Sequence, residues 1–98
     1  MSVDVNELEV KNNPERHRFE IVLDDRVAMV GYRMAGNTIV FTHTEVPPEF
    51  EGMGIGSKLA RHVLDYAKTQ GYRVHAQCPF IAGYISRHPE YQSITNGY

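Results

Sequence analysis

The chain has 98 residues, ten Lys and Arg against twelve Asp and Glu, one cysteine and no tryptophan. That length fits one compact domain, 1–98, and excludes two. It buries roughly 60–65% of the unfolded surface, enough for a modest core without metal or disulfide staples. The net charge of −2 lacks the basic excess usual in a nucleic-acid binder. Hydrophobic content of 42% and charged content of 22% are ordinary for a globular protein and argue against wholesale disorder. No apolar run approaches the roughly 18 residues of a membrane span, and the polar, acidic start has no hydrophobic signal core. A soluble, cytoplasmic protein is expected, and a single cysteine agrees with a reducing compartment.

Residues 1–14 hold only scattered apolar side chains, and Asn12-Asn13-Pro14 reads as a turn. The segment is either an edge strand or a loose tail. From Arg18 the pattern has period two: Phe19, Ile21 and Leu23 on one face, Arg18, Glu20 and Val22 on the other. Asp24-Asp25 makes a turn, a second strand carries Ala28, Val30, Tyr32 and Met34, and Ala35-Gly36-Asn37 closes another tight connection. The run 37–46, rich in Thr, Val, Ile and Phe, is a third strand, completing an antiparallel meander. Pro47-Pro48 ends it.

Between Gly54 and Gly71 the apolar Ile55, Leu59, Val63, Tyr66 and Ala67 recur at helical spacing, with Gly71 as C-cap. A short strand over 72–78 follows, so strands 37–46 and 72–78 form a β-α-β crossover and run parallel. Pro79 suits a first helical position; Phe80, Ile81, Tyr84 and Ile85 make a second, shorter apolar face, and His88-Pro89 stops it. The tail from Tyr91, and 92–98 in particular, is polar and expected to fray. The fold class is therefore α/β, or α+β with a mixed sheet.

The most informative stretch is Glu51-Gly52-Met53-Gly54-Ile55-Gly56-Ser57, at a strand-to-helix junction. Its glycines permit positive φ and close backbone approach, while the first helical N–H groups lack partners. A pyrophosphate supplies the missing acceptors, helped by the helix dipole. The plain alternative is a glycine-rich helix entry. Neither the P-loop spacing nor the dinucleotide fingerprint matches, since Lys58 is displaced by one place and the third glycine is absent at Ser57 or Leu59. A Gly-x-x-Gly nucleic-acid clamp would have only Lys58 and Arg61 in support.

These residues resemble the acetyl-coenzyme A loop of the GNAT N-acetyltransferase superfamily, [Q/R]-x-x-G-x-[G/A], with Gly54-Ile55-Gly56 matching and Glu51 where Gln or Arg is usual. Glu45-Val46-Pro47, Glu51-Gly52-x-Gly54-Ile55-Gly56, Cys78-Pro79-Phe80 and His88-Pro89-Glu90-Tyr91 look like the small single-domain branch of that superfamily. The four motifs in order span about Val22 to Tyr91. The resemblance implies acetyl-coenzyme A in the V between strands 37–46 and 72–78. Its pantetheine arm would lie along Thr44 to Val46, and its pyrophosphate would take N–H groups between Gly52 and Ser57, with Met53, Gly54, Ile55 and Gly56 in the loop. Backbone donors do not depend on the residue at 51.

Acetyl transfer requires a neutral amine, and a free lysine is neutral only about one part in two thousand at pH 7, a handicap of roughly 4–5 kcal/mol. His43 and Glu45, two apart on one strand face, are candidate bases; the plain readings are a satisfied histidine and a solvated glutamate. Cys78, at the end of a strand and before Pro79, occupies a candidate N-cap where the dipole favours thiolate, so it can take the acetyl group as a thioester. Its plain reading is a buried small hydrophobe. His88 is read chiefly as a cap of the short helix. His17, His62 and His75 show no shared metal spacing, and no metal site is expected. Tyr32, Tyr66 and Tyr84 read as core and rim.

The expected activity is acetyl-coenzyme A-dependent N-acetylation of a protein lysine, an N-terminus or a small amine, by a monomer or weak homodimer. The alternative is a non-catalytic coenzyme A or acyl-coenzyme A sensor or partner-binding module. An RNA-binding β-α-β module, the third class, would bind with steep salt dependence, and the −2 charge argues against it.

Overall fold

The computed structural model describes residues 4–95. Alternating side chains build a five-stranded sheet in the order β1 (Lys11–Asn13), β2 (Arg18–Leu23), β3 (Arg26–Ala35), β4 (Thr38–Glu45), β5 (Arg73–Ala76). The first four strands are antiparallel neighbours, and β4 and β5 are parallel, as the crossover requires. Two-residue turns join β2 to β3 and β3 to β4, with Asp24 and Gly36 at positive φ.

Helix α1 (Ile55–Gln70) connects β4 to β5, and α2 (Pro79–Arg87) follows β5. Phe19, Ile21, Val30, Ile39, Phe41 and Val74 are fully buried in one cluster with Leu59, Val63 and Leu64 of α1 and Ile81 and Ile85 of α2. Both helices therefore cover the same face of the sheet. The alternate residues of β2 look the other way, and Val22 there is 60% exposed. Gly71 ends α1 in the left-handed conformation, its N–H shared between the carbonyls of Ala67 and Lys68.

The described parts of both terminal segments are tied down. Lys11–Asn13 is an edge strand, as one reading of 1–14 has it, and Val5, Leu8 and Val10 pack against the core ahead of it, so the described part of this segment is no loose tail. The Lys58 ammonium also donates to the Val5 carbonyl at 2.8 Å.

The expected fraying after Tyr91 is corrected for Tyr91–Thr95. Pro89–Ile94 forms a 3-10 helix, Arg73 donates to the Ser93 and Thr95 carbonyls at 2.9 and 2.7 Å, and Thr95 bridges Val74 at the outer edge of β5. Composition concealed this because the anchors are backbone carbonyls and one buried tyrosine. Residues 96–98, also expected to fray, lie outside the described range.

The Tyr91 hydroxyl donates to Asp65 at 2.6 Å, joining this segment to α1. Burial and then that carboxylate hold the Tyr91 phenol well above its ordinary range, and burial raises Tyr84 and Tyr66 as well. A raised phenol contributes stability that is fully present below the unfolded pKa, about 10, and is lost as pH rises beyond it. Urea unfolding across pH 9 to 11 (about one unit either side of that value) should show stability falling at the alkaline end. Tyr91→Phe should flatten that limb while costing about 1 kcal/mol at neutral pH.

Candidate functional site

Strand β4 pairs with β5 only from Thr38 to Phe41, while Thr42–Glu45 lie beyond the last β5 pair. At the divergence the N–H groups of Gln77 and Cys78 both donate to the Phe41 carbonyl, at 3.0 and 3.1 Å. The chain then leaves the sheet through Cys78, which has extended backbone and is the N-cap of α2, with Pro79 in the first helical position. The result is a V between the second half of β4 and the start of α2.

A cleft of about 450 Å³ opens there. Thr44 and Val46 line its strand side; Gly52, Gly54, Ile55, Gly56 and Ser57 line its loop and helix side. Of the eight residues expected at a cofactor, only Met53 is not in the lining; it packs against the core instead. Phe50, Glu51 and Phe80 complete the wall. The clue to Phe80 was its position just after Cys78-Pro79, one helical turn from the strand end.

The three glycines answer different demands. Gly52 and Gly54 have φ near 82° and 83°, and a Cβ at either would meet no atom within 4 Å, so the demand is purely on the backbone. Gly56 is ordinary in φ, but a Cβ there would stand 2.8 Å from the Phe80 ring. Gly54 is the N-cap of α1 and offers no side-chain cap, and Lys58 N is the first to bond, to Gly54 O at 3.0 Å. The N–H groups of the first turn therefore have no intrahelical acceptor and lie at the cleft, where an anion satisfies them with the helix dipole behind it.

Thr44 and Cys78 stand on the helix side of the sheet. Thr44 pairs across with the core residue Val30, and its hydroxyl lies 3.2 Å from the Cys78 sulfur. Cys78 is only 3% exposed. It thus satisfies the buried-hydrophobe description and also touches a residue that lines the cleft.

His43 and Glu45 share a face, as expected, but it is the opposite one. Gly31 pairs with His43 and Tyr32 with Phe41, leaving Thr42 as an extra residue, a β-bulge. Strict alternation from the buried Phe41 would aim His43 and Glu45 at the core; the bulge inverts this. Their side chains are 53% and 69% exposed, with His43 Nε2 3.6 Å from the Glu45 carboxylate. His43 Nδ1 lies 3.0 Å from the Thr42 hydroxyl. Across the V the four candidate groups are thus sorted, Cys78 and Thr44 on the cleft side and His43 and Glu45 on the far side.

A second cleft of about 470 Å³ adjoins the first, sharing Gly54 and Ser57 and carrying Lys58, Arg61 and Tyr84. His88 caps α2 as expected: its Nδ1 lies 2.8 Å from the Tyr84 carbonyl and its ring stacks on Tyr84 at 3.8 Å. Tyr32 and Tyr66 both contact the Phe19 ring, consistent with core and rim.

The comparisons agree with this architecture. A GCN5-like protein of Staphylococcus aureus, solved in solution by NMR, superposes with a TM-score of 0.74 and 30% identity over 93% of this chain and 90% of its own. Protein NATD1 of Homo sapiens is 31% identical over 86 residues, covering 84% of this chain and 75% of the relative. Protein NATD1 of Xenopus tropicalis is 28% identical over 85 residues, covering 84% and 78%. The family model for GCN5-related N-acetyl-transferase matches residues 18–94, which include the V, the glycine loop and both helices, and the chain belongs to that family.

Proposed function

We propose that this protein is an acetyl-coenzyme A-dependent N-acetyltransferase. The observation that carries the reading is the V itself: uncapped helical N–H groups at one end, Cys78 against Thr44 on the cleft side, and a histidine with a carboxylate on the far side. The residues present fit the cofactor. The first-turn N–H groups of α1 would hold the pyrophosphate, Thr44 and Val46 would line the pantetheine arm, and Lys58 and Arg61 in the adjoining cleft would meet the nucleotide end. When bound, acetyl-coenzyme A supplies an activated acyl group.

The chain's own residues do the rest. With acetyl-coenzyme A held there, Cys78 would be the nucleophile placed to take the acetyl group, its sulfur forming the new thioester bond and its proton going to the departing coenzyme A thiol. Its near-complete burial keeps water from the resulting thioester. The acceptor amine, a protein lysine, an N-terminus or a small amine, approaches from the His43 side, loses its proton there and displaces the Cys78 sulfur. Such a protein works in a reducing compartment, the cytoplasm, where the thiol stays free.

Titration with acetyl-coenzyme A, followed by backbone amide shifts, tests the cofactor site. Shifts at residues 44–57 are expected, and their silence at millimolar ligand overturns the reading. Binding without acetylation of any amine would instead favour a sensor or partner-binding module. One further expectation concerns Glu51, whose carboxylate lines a cleft that receives an anion. Glu51→Gln should tighten acetyl-coenzyme A binding about threefold at low salt, with the gain shrinking as ionic strength rises. Isothermal titration at two salt concentrations checks it.

A further inference from the structure

Phe80 stands apart from the other phenylalanines. Phe19 and Phe41 are buried in the core cluster and Phe50 packs against it, whereas Phe80 lies outside the cluster and is 38% exposed. Its ring rests instead on Gly56: a Cβ added there would meet Cζ at 2.8 Å and the two Cε atoms at 3.3 and 3.4 Å. The ring tip therefore touches the first turn of α1. Gly56 has ordinary φ and is the second residue of that helix, where glycine costs backbone entropy that alanine does not. The exposed aromatic and the glycine are each locally unfavourable, and they meet on the wall of the cleft. Local rules broken together at a cleft mark a functional contact rather than a folding one.

The span of the side chain says which function. It is rooted two residues beyond Cys78, and its tip lies at Gly56 among the first-turn N–H groups. A ligand with an anionic group on those N–H groups and its reactive end near Cys78 has to run its connecting segment along this ring, with Thr44 and Val46 lining the strand side of the same cleft. We propose that Phe80, seated on Gly56, is a specificity-determining residue that selects an uncharged chain of amides and methylenes, the pantetheine arm, over ligands that carry only the pyrophosphate. A flat apolar face packs against methylenes and amide planes, and gives a bare pyrophosphate nothing. The inference rests on the coenzyme A part of the proposed function. It assigns the missing side chain at position 56 to the ring, while the Gly56 N–H stays with the anion.

A double-mutant cycle on the whole protein tests this, read by isothermal titration with acetyl-coenzyme A. Phe80→Ala should weaken binding about tenfold. Gly56→Ala should also weaken it about tenfold, because the added methyl displaces the ring. The double variant should bind no worse than Phe80→Ala alone, since the methyl then has nothing to displace. Adenosine diphosphate, which has the pyrophosphate and no arm, should keep its wild-type affinity in Phe80→Ala, followed by amide shifts at millimolar ligand. Three results overturn the role of Phe80 alone: wild-type affinity for acetyl-coenzyme A in Phe80→Ala, an undiminished Gly56→Ala loss in the Phe80→Ala background, or an equal loss for adenosine diphosphate. A wild type that does not bind acetyl-coenzyme A overturns the cofactor reading, and this proposal with it.

Discussion

Gly54→Val is expected to eliminate measurable acetyl-coenzyme A binding at a cost of only about 2 kcal/mol in stability. The stability cost comes from one source. Gly54 sits at φ 83°, ψ 9°, and a Cβ added there would meet no atom within 4 Å, so the penalty for valine is that of the left-handed backbone. Binding suffers more, because the strain is relieved most easily by turning the Gly54 peptide. That peptide aims the first N–H groups of α1, and a reoriented first turn no longer presents converging donors to a pyrophosphate. Thermal unfolding and isothermal titration on the same preparation separate the two effects. A variant that melts slightly lower and still binds normally would show that the loop glycines serve folding alone.

Cys78→Ala should lower kcat by at least roughly a hundredfold while leaving cofactor affinity within a factor of about two. Alanine fills most of the buried site and removes the sulfur that stands 3.2 Å from the Thr44 hydroxyl, so the fold loses little and the covalent step loses its nucleophile. Intact-mass spectrometry of the wild type with acetyl-coenzyme A and no amine should show one added acetyl group, absent in the variant. Initial rates should give the parallel lines of a ping-pong scheme. An unmodified wild type and an active Cys78→Ala would transfer the whole task to direct attack by the amine, with His43 and Glu45 still on the acceptor side.

Much of this was legible in the residues because the strong signals are local. Phe19-x-Ile21-x-Leu23 can only be a half-buried strand, Gly71 after a 3.6-period run can only end a helix, and Pro47-Pro48 must stop a ladder. The loop glycines were equally plain, although the separate reason for Gly56 depends on Phe80, 24 residues away, and no spacing rule reaches that far. Alternation failed at Thr42. Nothing in Phe41-Thr42-His43-Thr44-Glu45 marks a bulge, so the two-residue spacing of His43 and Glu45 correctly gave them a common face and could not say which. The stretch Tyr91–Thr95 was misjudged for a related reason. Its anchors, the Ser93 and Thr95 carbonyls and one phenol, are main-chain or tertiary and carry no hydropathy signal. The second cleft needed the fold as well, because Lys58 and Arg61 on α1 and Tyr84 on α2 meet only when the helices pack.

The Phe41 carbonyl has one more consequence. Because it accepts from both Gln77 and Cys78, the same oxygen closes the β5 ladder and fixes where α2 begins. On the proposed acetyltransferase reading, a pantetheine arm entering between the strands would travel no deeper than that atom, which would act as its depth stop. The length of the arm and the position of the stop would together determine which carbon of an acyl group rests beside Cys78. A longer acyl chain would not be accommodated by sliding the cofactor inward; it would need room beyond the sheet, on the side where His43 stands. On that reading, acyl-chain preference would be set by the far face, and by the backbone oxygen of a residue whose side chain is wholly committed to the core.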